Sequence, residues 1–262
     1  FSHVLENTLI SGITHEEISL MMMDRINQDM HGALNLAISI FKDEYPKFYL
    51  HQLISSQLDM DRLDYLRRDS FFTGVTEGNI GSARIIKMLN VVDDALVVES
   101  NGIYSIENYL TSRRLMYWQV YLHKTTVGCE NVLINALHRA KQLAKEGVEL
   151  FASPALRYFL YKDITAETFH TDDKALDNYI ALDDNDIWSA IKVWQQHEDK
   201  ILSLLSSNMI NRKIFKVEVR EKEPTAEEIN QLKQQISERY EISFADCDYL
   251  IGVNRVQKDM YN

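Results

Sequence analysis

Apolar residues along this chain recur mostly at three- and four-residue intervals, the spacing of helices that bury one face. Ile18, Met21, Met22 and Ile26 draw such a stripe. Thr14 and Glu17 stand three apart at its start, the residue pair of a capping box. Residues 1–27 therefore predict two helices joined by a turn at Ser11-Gly12. Another helix is expected over Ala33–Phe41. Beyond the polar stretch around Asp43, Glu44 and Pro46, a further one begins near Phe48. Inside it the run Ser55 to Asp69, SSQLDMDRLDYLRRD, sorts by face: Met60, Leu63 and Leu66 on one side, Asp61, Tyr65, Arg68 and Asp69 on another. Such a helix packs its apolar face inward and lines a cleft with the other. A mixed-charge face is also the pattern of a solvated surface held by weak i,i+4 pairs.

After Asp69 the segment SFFTGVTEGN turns the chain, and a short helix is expected over Ile80–Leu89. Two short strands come next, ALVVES and IYSI, joined at Asn101-Gly102, a pair suited to a type I′ turn. Residues 106–144 contain little to break a helix except Gly128. Arg113, Tyr117, Tyr121 and Lys124 recur there at i, i+4, i+8 and i+11, a stripe of two cations and two phenols. Aromatic stripes at this spacing are commonly core, but Arg113 needs a partner if buried. Glu149–Tyr161 and Asp186–Ser206 read as helices, with Asp183, Asp184 and Asp186 favouring the start of the second as a cap or solvated face. Past Asn211, KIFKVEVRE and DYLIGVNRV alternate like strands around a helix whose start is marked by Thr225 and Glu228. Residues 1–210 thus form a helical domain, and 211–262 a small α+β appendage.

The 262 residues are enough for one large domain with an appendage. Only 9 Gly and 3 Pro occur, which favours long helices over a turn-rich β fold. A formal charge of -11 excludes nonspecific attraction to a phosphate backbone, although a few gathered cations suffice for one nucleotide. No apolar run approaches a membrane span. Cys129 and Cys247 make no disulfide framework, so a reducing cytoplasm is the simplest setting.

The run DMDRLDYLRRDSFFTGV resembles the third signature of the HD-domain phosphohydrolases, in particular the dGTPase-like deoxynucleoside triphosphate triphosphohydrolase branch. Three other segments, in that family's order, resemble it too. FSHVLE at the start is similar to the segment just after its His-Asp doublet, THEE at Thr14 to its next histidine segment, and RRLMYWQVYLHK at Arg113 to the helix that holds substrate phosphates. The resemblance implies an HD helical bundle, so the fold expected is mainly α, with the small β-hairpin and the C-terminal α+β appendage read from the pattern above. Its upstream histidine and His-Asp doublet would lie before Phe1, so the chain, which opens on Phe, is read as part of a longer protein.

The resemblance also implies roles. Asp61 becomes a ligand to a divalent ion (Mg, Mn, Ni, Zn or Fe), which polarises a phosphoryl oxygen and activates water. His15, oriented by Glu6, becomes the general acid or a group assisting the nucleophile, with His3 near the leaving oxygen. Arg62, Arg113, Tyr117 and Tyr121 take the phosphate tail, and Tyr65 and Asp69 the sugar, with Asp69 accepting from a 3′-hydroxyl. Arg62 stands where relatives often carry Lys, Tyr117 where some carry His and Leu122 where some carry a polar residue. These departures bear on base choice and tail geometry. The expected reaction releases triphosphate from a dNTP. The expected partners are a nucleotide substrate, an allosteric nucleotide and further copies in a homo-oligomer. A nucleotide sensor with a degenerate HD pocket is the alternative outside enzymes, and an HD enzyme acting on nucleoside monophosphates the alternative within them.

Overall fold

The computed structural model describes residues 2–254, and their order is almost entirely helical. The elements run α1 (Ser2–Thr8), β1 (Ile10–Ser11), α2 (His15–Asp29), α3 (Asn35–Phe41), α4 (Phe48–Gln52), α5 (Met60–Thr73), α6 (Ser82–Met88), β2 (Leu89–Val92), β3 (Ala95–Val98), α7 (Ile103–Met116) and α8 (Lys124–Lys145). They continue with α9 (Pro154–Tyr161), β4 (Ile164–Thr165), α10 (Ala166–Thr171), α11 (Asp173–Ala181), α12 (Asp184–Trp194), α13 (Lys200–Ile210) and α14 (Ala226–Tyr240). The mainly α expectation holds. The described residues divide into two compact units, one built from 2–22 and 124–254, the other from Met23–His123.

In the first unit the core gathers Leu5, Leu9, Ile18, Leu137, Leu156, Phe159, Ile191 and Trp194, all buried. Each fully buried side chain of this kind contributes about 1.5–3 kcal/mol over its exposed state. β1 pairs in parallel with β4, Ile10 opposite Ile164, which ties the N-terminal helices into this core. The indole N–H of Trp194 donates to the Phe151 carbonyl at 3.0 Å, so the largest buried ring leaves no polar atom without a partner.

Lys141 is also buried here, 9% exposed, and its amine donates to the carbonyls of Phe159 and Lys162. Desolvation pushes its pKa down to about 8. An unfolded lysine keeps its proton up to about 10.4, so between these values the unfolded chain binds more protons than the folded one. Stability then rises with pH across that window. We expect the thermal midpoint of Lys141→Met to lack this rise between pH 8 and 10 when compared with the parent by calorimetry.

The second unit packs α5, α6 and α7 around Leu63, Leu66, Ile80, Ile85, Tyr109 and Met116. The expected helix from Phe48 through Asp69 is interrupted: α4 ends at Gln52 and α5 begins at Met60, with Asp59 as N-cap accepting from the Arg62 N–H at 2.7 Å. The hairpin forms, shifted toward the N-terminus. Leu89 faces Val98 and Val92 faces Ala95, and Asp93 and Asp94, at φ 49° and 61°, make the turn. Aspartate tolerates the left-handed region through local hydrogen bonding. Asn101-Gly102 instead leads into α7. A Cβ on Gly102 would lie 2.8 Å from Val98 Cγ1, so glycine serves close packing there rather than a turn.

The long helix expected over 106–144 is two. α7 widens into a π-helical turn over Tyr117–Tyr121, and α8 starts anew at Lys124, on a different helix from Arg113. Similarly, Asp186–Ser206 divides into α12 and α13, and Asp183 caps the former through a box with Asp186. The boxes at Thr14/Glu17 and Thr225/Glu228 form as read. Helices α10 and α11 have no counterpart among the expected elements. The two strands expected after Asn211 are absent among the described residues: 213–220 is without regular structure and Asp246–Leu250 is a 3-10 turn. Alternation alone makes no strand without a neighbouring ladder to satisfy its backbone. Arg255 and Val256, the end of the second expected strand, lie outside the described residues.

Candidate active site

In the first unit, α1 and the start of α2 bring His3, Glu6 and His15 together, their ligand atoms within 4.8 Å of one another. The capping box at Thr14 sets where α2 begins and so fixes His15 at its first position. Glu6 Oε1 lies 2.8 Å from His15 Nδ1 and also accepts the His15 main-chain N–H. This double contact fixes both the ring and its backbone. With Nδ1 donating to Glu6, Nε2 is the ring atom left to give or take a proton. Glu16 stands 3.3 Å from Nε2, its carboxyl held below the usual range chiefly by a backbone hydrogen bond. His3 meets His15 edge to face at 4.8 Å between ring centres, and its Nδ1 is 3.4 Å from Glu6 Oε2. The trio has the residue types of a metal site, but Glu6 Oε1 and His15 Nδ1 are already spent on each other. An oriented imidazole describes the arrangement better than a ligand set.

In the second unit the short loop before α5 is the organiser. Asp59 is 4% exposed and takes both the cap bond and the Arg62 guanidinium, which also donates to the Ser56 carbonyl. Arg113, on α7, is likewise 4% exposed. Its Nη1 donates to Gln57 Oε1 at 2.7 Å, its Cζ lies 5.9 Å from the Tyr117 ring centre, and its Nε has no hydrogen-bond partner. Arg62 is thus matched by a carboxylate and Arg113 by a neutral amide. Both guanidinium charges reach Tyr65 and Tyr109. Arg113 is therefore a buried cation with a neutral partner and a spare donor.

Tyrosines and Asp69 complete this part. The Tyr121 hydroxyl donates to Asp69 Oδ2 at 2.5 Å, and the rings of Tyr65, Tyr121 and Tyr117 meet edge to face. Burial pushes the phenols of Tyr65 and Tyr121 well above the usual range, with Tyr117 adding to the first and the hydrogen bond to Asp69 to the second. Alkaline titration in the ultraviolet should therefore show a late tyrosinate phase, reduced in Tyr121→Phe. A Tyr121→Phe curve that superimposes on the parent at high pH would contradict this reading.

Asp61 sits in the first turn of α5, exposed and without a hydrogen bond among the described residues. Among the described residues it joins no cluster of His, Cys, Asp or Glu ligands, and a lone carboxylate could supply one ligand to the divalent ion that the HD resemblance implies. The structure thus gathers His3, Glu6 and His15 in one unit and Arg62, Tyr65, Asp69, Arg113, Tyr117 and Tyr121 in the other. Sequence reasoning gives no role to Gln57 or Tyr109. Asp59 is legible as an N-cap, an acid three residues before Arg62 at a helix start.

Residues 80–152 match the HD associated region. This stretch includes the helix of Arg113, Tyr117 and Tyr121. A phosphohydrolase from Bacteroides thetaiotaomicron VPI-5482, known from a crystal structure, is 63% identical and superimposes at a TM-score of 0.97 over 100% of this chain and 65% of its own. The protein YwfO of Bacillus subtilis is 33% identical over 222 residues, 82% of this chain and 49% of its own length. A deoxynucleoside triphosphate triphosphohydrolase SAMHD1 homolog of Dictyostelium discoideum is 26% identical over 163 residues, 55% of this chain and 31% of its own. The chain therefore spans about half the length of YwfO and 65% of the Bacteroides chain. No helix among the described residues is long and apolar enough to cross a membrane.

Proposed function

We propose that this chain is part of a metal-dependent nucleotide phosphohydrolase that converts a dNTP to deoxynucleoside and triphosphate. The observation that carries the reading is Arg113: a buried guanidinium held by an amide, with Nε unpartnered, on a helix inside the HD associated region. Similarity to a phosphohydrolase over the whole chain supports the reaction class. The triphosphohydrolase named in the Dictyostelium relative supports the substrate class.

In this reading a divalent ion held in part by Asp61 supplies Lewis acidity and an activated water. Every other role falls to this chain's side chains. Arg113 neutralises phosphate charge, and a planar guanidinium offers two parallel donors to a phosphoryl group. Tyr117 lies beside it and Tyr121 beside Tyr117, and Arg62 contributes charge already fixed by Asp59. Asp69, ordered by the Tyr121 hydroxyl, retains an oxygen to accept from a sugar 3′-hydroxyl, with Tyr65 beside it. His15 carries the transferable proton at Nε2 while Glu6 holds the ring, and His3 lies next to that ring near the leaving oxygen. General acid catalysis of this type contributes about 10²–10⁴-fold.

The test is incubation of the full-length protein with each of the four dNTPs and Mg²⁺, Mn²⁺ or Ni²⁺, resolving nucleoside, inorganic triphosphate and diphosphate products. Equimolar nucleoside and triphosphate is the expected result. Nucleotide binding in calorimetry without turnover would replace the enzyme reading by that of a nucleotide sensor.

A further inference from the structure

The loop between α4 and α5 carries a residue that nothing in the family signature marks. Gln57 accepts from Arg113 Nη1 through its side chain at 2.7 Å, and its own main-chain carbonyl accepts from the Tyr109 hydroxyl at 2.7 Å. Tyr109 is buried and comes from α7, one turn before Arg113, so Gln57 is gripped at its backbone by the helix whose cation it holds. Two residues on, Asp59 fixes Arg62. One loop therefore sets both Arg62 and Arg113, by different chemistry: a carboxylate for the first, a neutral amide for the second.

The difference has a physical consequence. A carboxylate at position 57 would cancel the Arg113 charge, and an apolar residue would leave the guanidinium without its anchor among competing rotamers. An amide fixes the geometry of one nitrogen while leaving the full positive charge to an incoming anion.

We infer that Gln57 is the positioning residue for Arg113: its amide holds the guanidinium, with Tyr109 bracing it, ready for the polyphosphate tail of the substrate. The inference rests on the proposed phosphate role of Arg113. It goes beyond it in assigning the orientation, and the retention of charge, to residue 57.

The experiment uses inorganic tripolyphosphate as the probe, titrated by calorimetry into the full-length protein and its Gln57→Leu, Gln57→Glu, Tyr109→Phe and Arg113→Ala variants, with dNTP kinetics and thermal midpoints beside it. Loss of a well-made bond to a charged group predicts about tenfold weaker binding for Gln57→Leu. A larger loss is expected for Gln57→Glu, which keeps the geometry and cancels the charge, and a smaller one for Tyr109→Phe. KM should rise more than kcat falls, because the affected contact binds ground state and transition state alike. Gln57 is exposed, so its variants should melt within a few degrees of the parent. Unchanged tripolyphosphate affinity in Gln57→Leu, with affinity lost in Arg113→Ala, would overturn the inference and leave the proposed function standing. Tighter binding in Gln57→Leu would also overturn it, by showing the amide to be a competitor of the anion. Unchanged affinity in Arg113→Ala would instead remove the phosphate role itself.

Discussion

Replacing Asp61 by alanine is expected to abolish triphosphate release from dNTPs while leaving the fold almost as stable as before. Asp61 is exposed, makes no hydrogen bond among the described residues, and is not the cap of its helix. Its stability contribution is limited to a favourable position in the first turn, about 0.3–1 kcal/mol. Its proposed role as metal ligand concerns several kcal/mol of transition-state charge stabilisation, about a thousandfold or more in rate. Asp59, two residues earlier, should behave in the opposite way. It is buried, caps α5 and answers Arg62, so Asp59→Ala removes a cap bond and strands a cation. That combination should cost about 2–4 kcal/mol. Calorimetry and product analysis on the two variants separate the cases. An Asp61→Ala protein that still turns over at the parental rate would exclude the metal role.

The second large effect is expected at His15. His15→Asn should lower kcat by about 10²–10⁴-fold with little change in KM, because the proton it carries matters only as the leaving oxygen develops charge. Glu6→Gln should give a smaller loss and an altered pH profile, since the ring keeps its place but loses the carboxylate at Nδ1. Glu16→Gln removes the carboxylate 3.3 Å from Nε2 and should likewise shift the pH profile, with a smaller loss of rate than His15→Asn. Single-turnover rates across pH measure all three. A Glu6→Gln profile identical to the parent's would reduce the pair to a structural contact.

Features set by a few neighbouring residues are legible in the sequence. The capping boxes at Thr14/Glu17 and Thr225/Glu228 are local, and they form as the residues suggest. Features decided by distant partners are not. Asn101-Gly102 has the stronger turn chemistry, yet register is settled where Leu89 and Val98 pair, and the turn moves to Asp93-Asp94. KIFKVEVRE alternates well but meets no ladder. The π turn at Tyr117–Tyr121 has no breaking residue to announce it, and the helix that ideal spacing draws through Lys124 is two. At the site, the run around Asp61 and the Arg113 helix are visible through resemblance. Gln57 is invisible, because an amide in a loop carries no signal until its partner, 56 residues away, is in place.

The discontinuity of the first unit also orders events at the ribosome. Its core needs Leu5 and Ile18 from one end of the chain and Leu137, Leu156 and Trp194 from the other, with residues 23–123 emerging between them. Closing a loop of that length costs about 4 kcal/mol in chain entropy beyond a constant. The segment bearing His3, Glu6 and His15 is thus made before the helices it packs against. The contacts among His3, Glu6 and His15 are local to α1 and α2, but the core into which those helices pack is complete only once the residues through Leu202 have been made.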